Sequence, residues 1–163
     1  GFGFSGQRVV VEGQSFVNTL AAYDSFNPGR FFDDTTLDPY RLSLEGLRKL
    51  EKEDLTGARQ ALERSVSLNP RDPVTRYRYG RLMQARREDV GALQQFELTV
   101  SEADDCPPPV LATAYLEGAR LYERSGHRDR ALSWYRIAST LFGAAQETRA
   151  AASRALERLQ KQR

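Results

Sequence analysis

YLEGARLYERSGHRDRALSWYRIA, residues 115–138, decides the fold. Tyr115, Ala119 and Tyr122, then Ala131, Tyr135 and Ala138, set aromatic and small side chains at helical spacing on two stretches, with Gly126 between them. The same arrangement stands upstream. Gly80, Ala92 and Phe96 hold the places of Ala119, Ala131 and Tyr135, and Gly46, Ala58 and Leu62 stand another 34 residues back. Gly57 recurs as Gly91 with the same shift. A period of this length marks stacked supersecondary units rather than one globular core.

Working outward, the punctuation agrees with the period. Asp38-Pro39 and Asp72-Pro73 each join a capping acid to a proline suited to the first helical position. Asn69-Pro70 and Gly143 are stops. Helices are expected over about residues 39–52 and 55–68, 73–86 and 89–102, then 110–125 and 128–142. Pro107, Pro108 and Pro109 are expected to keep the preceding loop out of helix. A last helix over about 145–161 carries a narrow stripe of Ala152, Leu156 and Leu159, as suits a polar cap on an open stack. Each helical hairpin cannot bury its apolar face alone. Gly46, Gly80 and Ala119 on the first helices, and Ala58, Ala92 and Ala131 on the second, are expected where helices come closest. Leu62, Phe96 and Tyr135 follow those alanines one turn later and fill the space between.

These positions resemble the tetratricopeptide repeat (TPR) family. Its pattern sets aromatic, small and Tyr on the first helix, Ala, aromatic and Ala on the second, and Pro at the exit. The third repeat matches almost in full, the first through Gly46, Ala58, Leu62 and Pro70, and the second lacks the exit Pro because Asp104 stands there. The resemblance implies an all-α, right-handed superhelical solenoid of three TPR hairpins with a C-terminal capping helix. In domain terms this is an aromatic-rich N-terminal extension (1–37), three repeats within 38–143 (about 39–70, 73–104 and 110–143) and the cap (144–163). Five extra residues at the Pro-rich loop leave the angle between repeats two and three open.

The extension reads differently from the rest. It holds six of the eight Phe residues, a run of Val9, Val10 and Val11 that favours extended structure, and a short helix signal from Ser15 to Tyr23 closed by Asn27-Pro28-Gly29. Aromatics this dense are expected to pack on the repeats or on a neighbour.

Composition sets bounds. The formal net charge is only +2, which argues against a dedicated nucleic-acid or membrane-surface binder. Arg outnumbers Lys 21 to 3, read as the codon bias of a GC-rich bacterial genome, with Arg forks that grip carboxylates or phosphates on a partner as the functional alternative. Cys106 is the one cysteine, so no intrachain disulfide forms, and a soluble protein of the cytoplasm rather than the periplasm is the expectation. No apolar run has the ~18 residues a span needs, nor is a signal peptide evident, so no membrane insertion is expected. The lack of an initiator Met suggests a processed product or an excised piece.

The TPR resemblance implies a concave groove, lined by the first helices, that takes a protein or peptide partner. The groove candidates are Tyr77, Arg81, Gln84, Leu116, Arg120 and Glu123, with Tyr40, Ser43 and Leu47 on the first repeat. They lie off the packing face of Gly46, Gly80 and Ala119, and Tyr and Arg are the types that most often anchor interfaces. The family's two-carboxylate clamp for heat-shock chaperone tails is not expected. Its five positions hold Ser43, Leu47, Arg78, Thr113 and Glu117, and Glu117 has the wrong sign for a carboxylate.

Other constellations are weak. Gly1, Gly3 and Gly6 form a nucleotide-loop pattern without the strand, helix or Lys it needs. His127 reads as a solvated turn residue, Cys106 as at most one soft ligand, and Asp33-Asp34 as loop carboxylates. No catalytic residue, metal site or cofactor is expected. The arginines of the third hairpin and last helix, interspersed with Glu, read as a solvated face, with acidic-protein or nucleic-acid binding the sharper alternative. The functional expectation is a non-catalytic scaffold or adaptor module. The alternatives are a structural or autoregulatory domain whose groove or stack end residues 1–37 cover, a weak RNA-binding repeat, and an enzyme whose catalytic parts lie elsewhere.

Overall fold

A computed structural model describes residues 34–162. The valine run, the short helix from Ser15, Asp33 and the glycines at 1, 3 and 6 lie outside the described residues, as does nearly all of the aromatic-rich extension. Among the described residues there are seven α-helices and no strand: α1 (Asp34–Glu51), α2 (Leu55–Leu68), α3 (Pro73–Ala85), α4 (Asp89–Ser101), α5 (Pro108–Arg124), α6 (Arg128–Thr140) and α7 (Gln146–Lys161). A single 3-10 turn, Ala103–Asp105, precedes α5. The helices pair as α1–α2, α3–α4 and α5–α6, each pair stacks on the next, and α7 packs on α6 and α5. This is an all-α helical-repeat solenoid.

The expected contacts hold it together. Ala58, Ala92 and Ala131 are all fully buried, and Leu62 and Phe96 lie against Gly46 and Gly80. A methyl carbon on Gly46 would stand 2.5 Å from Leu62 Cγ, and one on Gly80 would stand 2.7 Å from Phe96 Cε1. Gly118, beside Ala119, meets Trp134 in the same manner. Trp134 in turn takes Tyr115 and Tyr122 edge-on, with ring centroids 5.1 and 5.0 Å away.

The turns within the hairpins repeat as faithfully as the helices. In each, one residue adopts the left-handed region: Glu53 (φ 62°), Arg87 (φ 60°) and Gly126 (φ 82°). The next residue's N–H donates back to a helix carbonyl, Asp54 to Lys49, Glu88 to Met83 and His127 to Tyr122, at 2.8 to 2.9 Å. That closes the first helix with one residue of left-handed backbone. The Asp54 carboxylate caps α2 by accepting from the Gly57 N–H at 2.9 Å, and Asp72 caps α3 through Thr75.

Two prolines depart from expectation. Pro39 does not open a helix from an Asp38 cap but lies inside α1, which begins at Asp34. The cost is the Thr35 carbonyl's backbone donor, while the Pro39 carbonyl accepts from Ser65 Oγ at 2.6 Å and ties α1 to α2. At the other loop, Pro108 and Pro109 belong to the first turn of α5, which starts two residues earlier than expected. First-turn N–H groups have no intrahelical acceptor, so proline is tolerated there.

The first helices touch one another in succession, α1 to α3, α3 to α5 and α5 to α7, whereas the second helices contact chiefly their own partners and the following first helix. The first helices and α7 therefore form one continuous inner row of the stack.

Candidate functional site

The inner face is polar and cross-linked. Glu117 on α5 is its node: Oε2 accepts from Gln84 Nε2 on α3 at 2.9 Å, Oε1 accepts from Arg120 at 2.7 Å, and Arg81 stands 3.9 Å away. Six residues further along α5, Glu123 accepts from both terminal nitrogens of Arg158 on α7, at 2.7 and 2.8 Å, and from the Tyr135 hydroxyl on α6 at 2.9 Å. The Arg158 guanidinium foremost holds the Glu123 carboxyl below the usual carboxylate range. Burial foremost, then the bond to Glu123, raises the Tyr135 hydroxyl, which stays a donor at neutral pH.

Of the groove candidates, Arg81, Gln84, Arg120 and Glu123 retain accessible surface; the first three meet at Glu117 between α3 and α5, and Glu123 separately binds Arg158 on α7. Tyr77 and Leu116 do not stand on an open face. Tyr77 is 2% exposed, packs on Phe96 with centroids 5.9 Å apart, and its hydroxyl accepts from Arg81 at 3.1 Å. Leu116 is buried with Ala119, Tyr122 and Tyr135. Ser43 is fully buried, accepting from Thr75 Oγ1 and from Arg78 Nη1 at 2.9 Å each, and Leu47 packs on the first core cluster. Tyr40 is half-buried beside a second recess of about 590 Å³ that includes Arg71, Asp72 and Glu102. The physical reason is that α3 and α5 each touch helices on several sides, so most of their circumference is covered and the open strip is narrow.

Three clamp positions are closed as well. Ser43, Arg78 and Thr113 are buried, and the Thr113 hydroxyl donates to the Pro109 carbonyl. Arg78 is the largest fully buried side chain, and among the described residues its Nε and Nη2 have no hydrogen-bond partner. Burial lowers its guanidinium pKa to about 10, so it remains charged at neutral pH.

A recess of about 670 Å³ opens where α5 and α6 meet α7. Arg120 and Arg124 of α5 and Arg154 and Arg158 of α7 line it, together with Glu123, Tyr135, Ala151 and Ala155. The sequence offered the arginines of the third hairpin and last helix as a solvated face or an acidic-protein or nucleic-acid surface, but not their meeting between α5 and α7, and the role of Glu117 as a cross-link went unread. The four-residue spacing of Arg154 and Arg158 places both on one side of α7.

The other residues singled out fall in plain settings. Cys106 is buried, and that burial pushes its thiol up to about 12, far from thiolate chemistry at neutral pH. His127 is exposed in the α5–α6 turn, 2.8 Å from Ser125 Oγ. Among the described residues no three His, Cys, Asp or Glu side chains gather into a metal-sized group, and no helix is long and apolar enough to cross a membrane.

No family model matches the chain, and no curated protein matches it. Among solved structures, the N-terminal domain of stress-induced protein-1 (STI-1) from C. elegans is similar, with a TM-score of 0.66 at 12% identity. The likeness covers 79% of this chain and 99% of that one. At this identity it speaks to fold, and with the three stacked hairpins it shows a TPR-like helical repeat.

Proposed function

We propose that this chain is a non-catalytic protein-interaction module that holds a segment of a partner protein along the inner face of its repeats. The observation that carries the reading is the accessible polar strip Arg81, Gln84, Arg120 and Glu123, fixed across α3, α5 and α7 by Glu117 and Arg158. Side chains pre-positioned by their neighbours lose less freedom on binding, and their donors offer specificity to an incoming chain. The TPR-like fold supports the reading by analogy, since such repeats present extended concave surfaces. Gln84→Arg with Arg120→Glu tests it in a paired capture from lysate, after circular dichroism shows unchanged melting. A partner held by the parent chain and lost with the double variant is the expected result. Capture of the same proteins by both refutes the assignment to this face.

A further inference from the structure

We infer that the recess between α5 and α7 is a docking trough for an acidic, carboxylate-bearing segment of a partner protein. The inference rests on the interaction-module reading and names the chemistry of the partner. Arg120 and Arg124 form one rail and Arg154 and Arg158 the other, each pair one helical turn apart. Ala151 and Ala155 add only small side chains to the α7 side of a recess of about 670 Å³. Glu123 is the one carboxylate in the lining, and it is already engaged by Arg158 and Tyr135.

The donors are far from used. A guanidinium carries about five N–H groups in a fork that matches a carboxylate. Arg120 commits one bond to Glu117, Arg124 one to Asp89, and Arg158 two to Glu123. Among the described residues Arg154 makes no side-chain hydrogen bond or ion pair. The trough is therefore positive, directional and under-supplied with acceptors, although the chain as a whole is near neutral at +2. Two carboxylates about one helical turn apart would match the spacing of the arginines along either helix.

A nucleic acid fits less well. Single strands are held by stacking bases on exposed aromatic rings as well as by charge, and the aromatic ring in this lining, Tyr135, is only 1% exposed. None of the five clamp positions lines the trough: Ser43, Arg78 and Thr113 are buried, and Glu117 touches it only as the acceptor of Arg120.

The test is fluorescence polarisation of a fluorescein-labelled hexaglutamate peptide with the full chain. Arg154→Glu is compared with Arg64→Glu, an exposed position on α2 with the same change of charge. Binding that weakens at least about fivefold in Arg154→Glu and less than about twofold in Arg64→Glu, and that weakens between about 50 and 200 mM salt, is the expected result. Equal losses in both variants, or no binding by the parent chain, overturns the inference. So does tighter binding of a single-stranded RNA of equal charge with the same dependence on Arg154. If the peptide fails while capture through Gln84 and Arg120 persists, the acidic trough falls and the interaction module stands. If both fail, the inner face is not the working surface.

Discussion

Gly80→Ala should destabilise the solenoid although it replaces the poorer helix former with the best one. Gly80 lies within α3, where alanine alone would gain about 1 kcal/mol of helix propensity. Against that, the added methyl would stand 2.7 Å from Phe96 Cε1 and 3.0 Å from both Cδ1 and Cζ. The ring cannot swing away cheaply, because it is fully buried and tilted at 42° against Tyr77. Overpacking of this kind costs about 1–3 kcal/mol, and three ring atoms inside contact distance point to the upper end, for a net loss of about 2 kcal/mol. The companion variant Phe96→Leu removes the obstruction and by itself costs about 1 kcal/mol or somewhat more, less than full truncation of a buried ring. The double variant should then be less destabilised than the two single losses together, with a coupling of at least about 1 kcal/mol. Urea unfolding followed by circular dichroism measures all three. A Gly80→Ala variant stabilised by the full helix propensity, or strictly additive losses, would refute the close approach of α3 and α4.

Two further outcomes follow from the turns and the last helix. Arg87 is exposed and holds φ 60° where the third hairpin uses Gly126, so Arg87→Gly should raise stability by about 0.5–1 kcal/mol. A fall in the unfolding midpoint would count against the shared turn geometry. Glu123→Gln removes the charge that engages Arg158 and weakens the acceptor for Tyr135, and should cost about 1–2 kcal/mol at neutral pH, with faster amide exchange in α7. Because the folded carboxyl is held below its ordinary value, its contribution is present above about pH 4.3 and fades as pH falls through the lower folded value. The gap between parent and variant should therefore close in acid, and a constant gap at every pH would reject the charge-based account.

Much of the fold was legible because the repeat fixes where small residues must stand. Gly46, Gly80 and Ala119, with the alanines at 58, 92 and 131, identify the close contacts, and each hairpin bears them out. The starts of α1 at Asp34 and α5 at Pro108 were not legible, since a proline marks where an N–H is absent without saying how many residues precede it. The open face was legible only in part. A single packing face, drawn from Gly80 and Ala119, leaves Tyr77 and Leu116 outside it. In the solenoid α3 and α5 pack on several neighbours, and both side chains are buried. Glu117 reads in the sequence only as a clamp position of the wrong sign; its cross-linking role comes from Gln84 on α3, which no sequence spacing places beside it. The trough needed α7 folded back against α5, a contact the narrow stripe of Ala152 and Leu159 permits but does not locate.

The central claim is that a partner protein lies along the inner face, and a photo-crosslinking amino acid placed there tests it most directly. One chain carries the crosslinker at Gln84, beside Glu117 on the inner face, and another at Gln94, exposed on the outer helix α4. Both are irradiated in cells, and the adducts are identified by mass spectrometry. A protein joined through Gln84 and absent from the Gln94 adducts is the predicted result. The same adducts from both positions, or adducts from Gln94 alone, would contradict it.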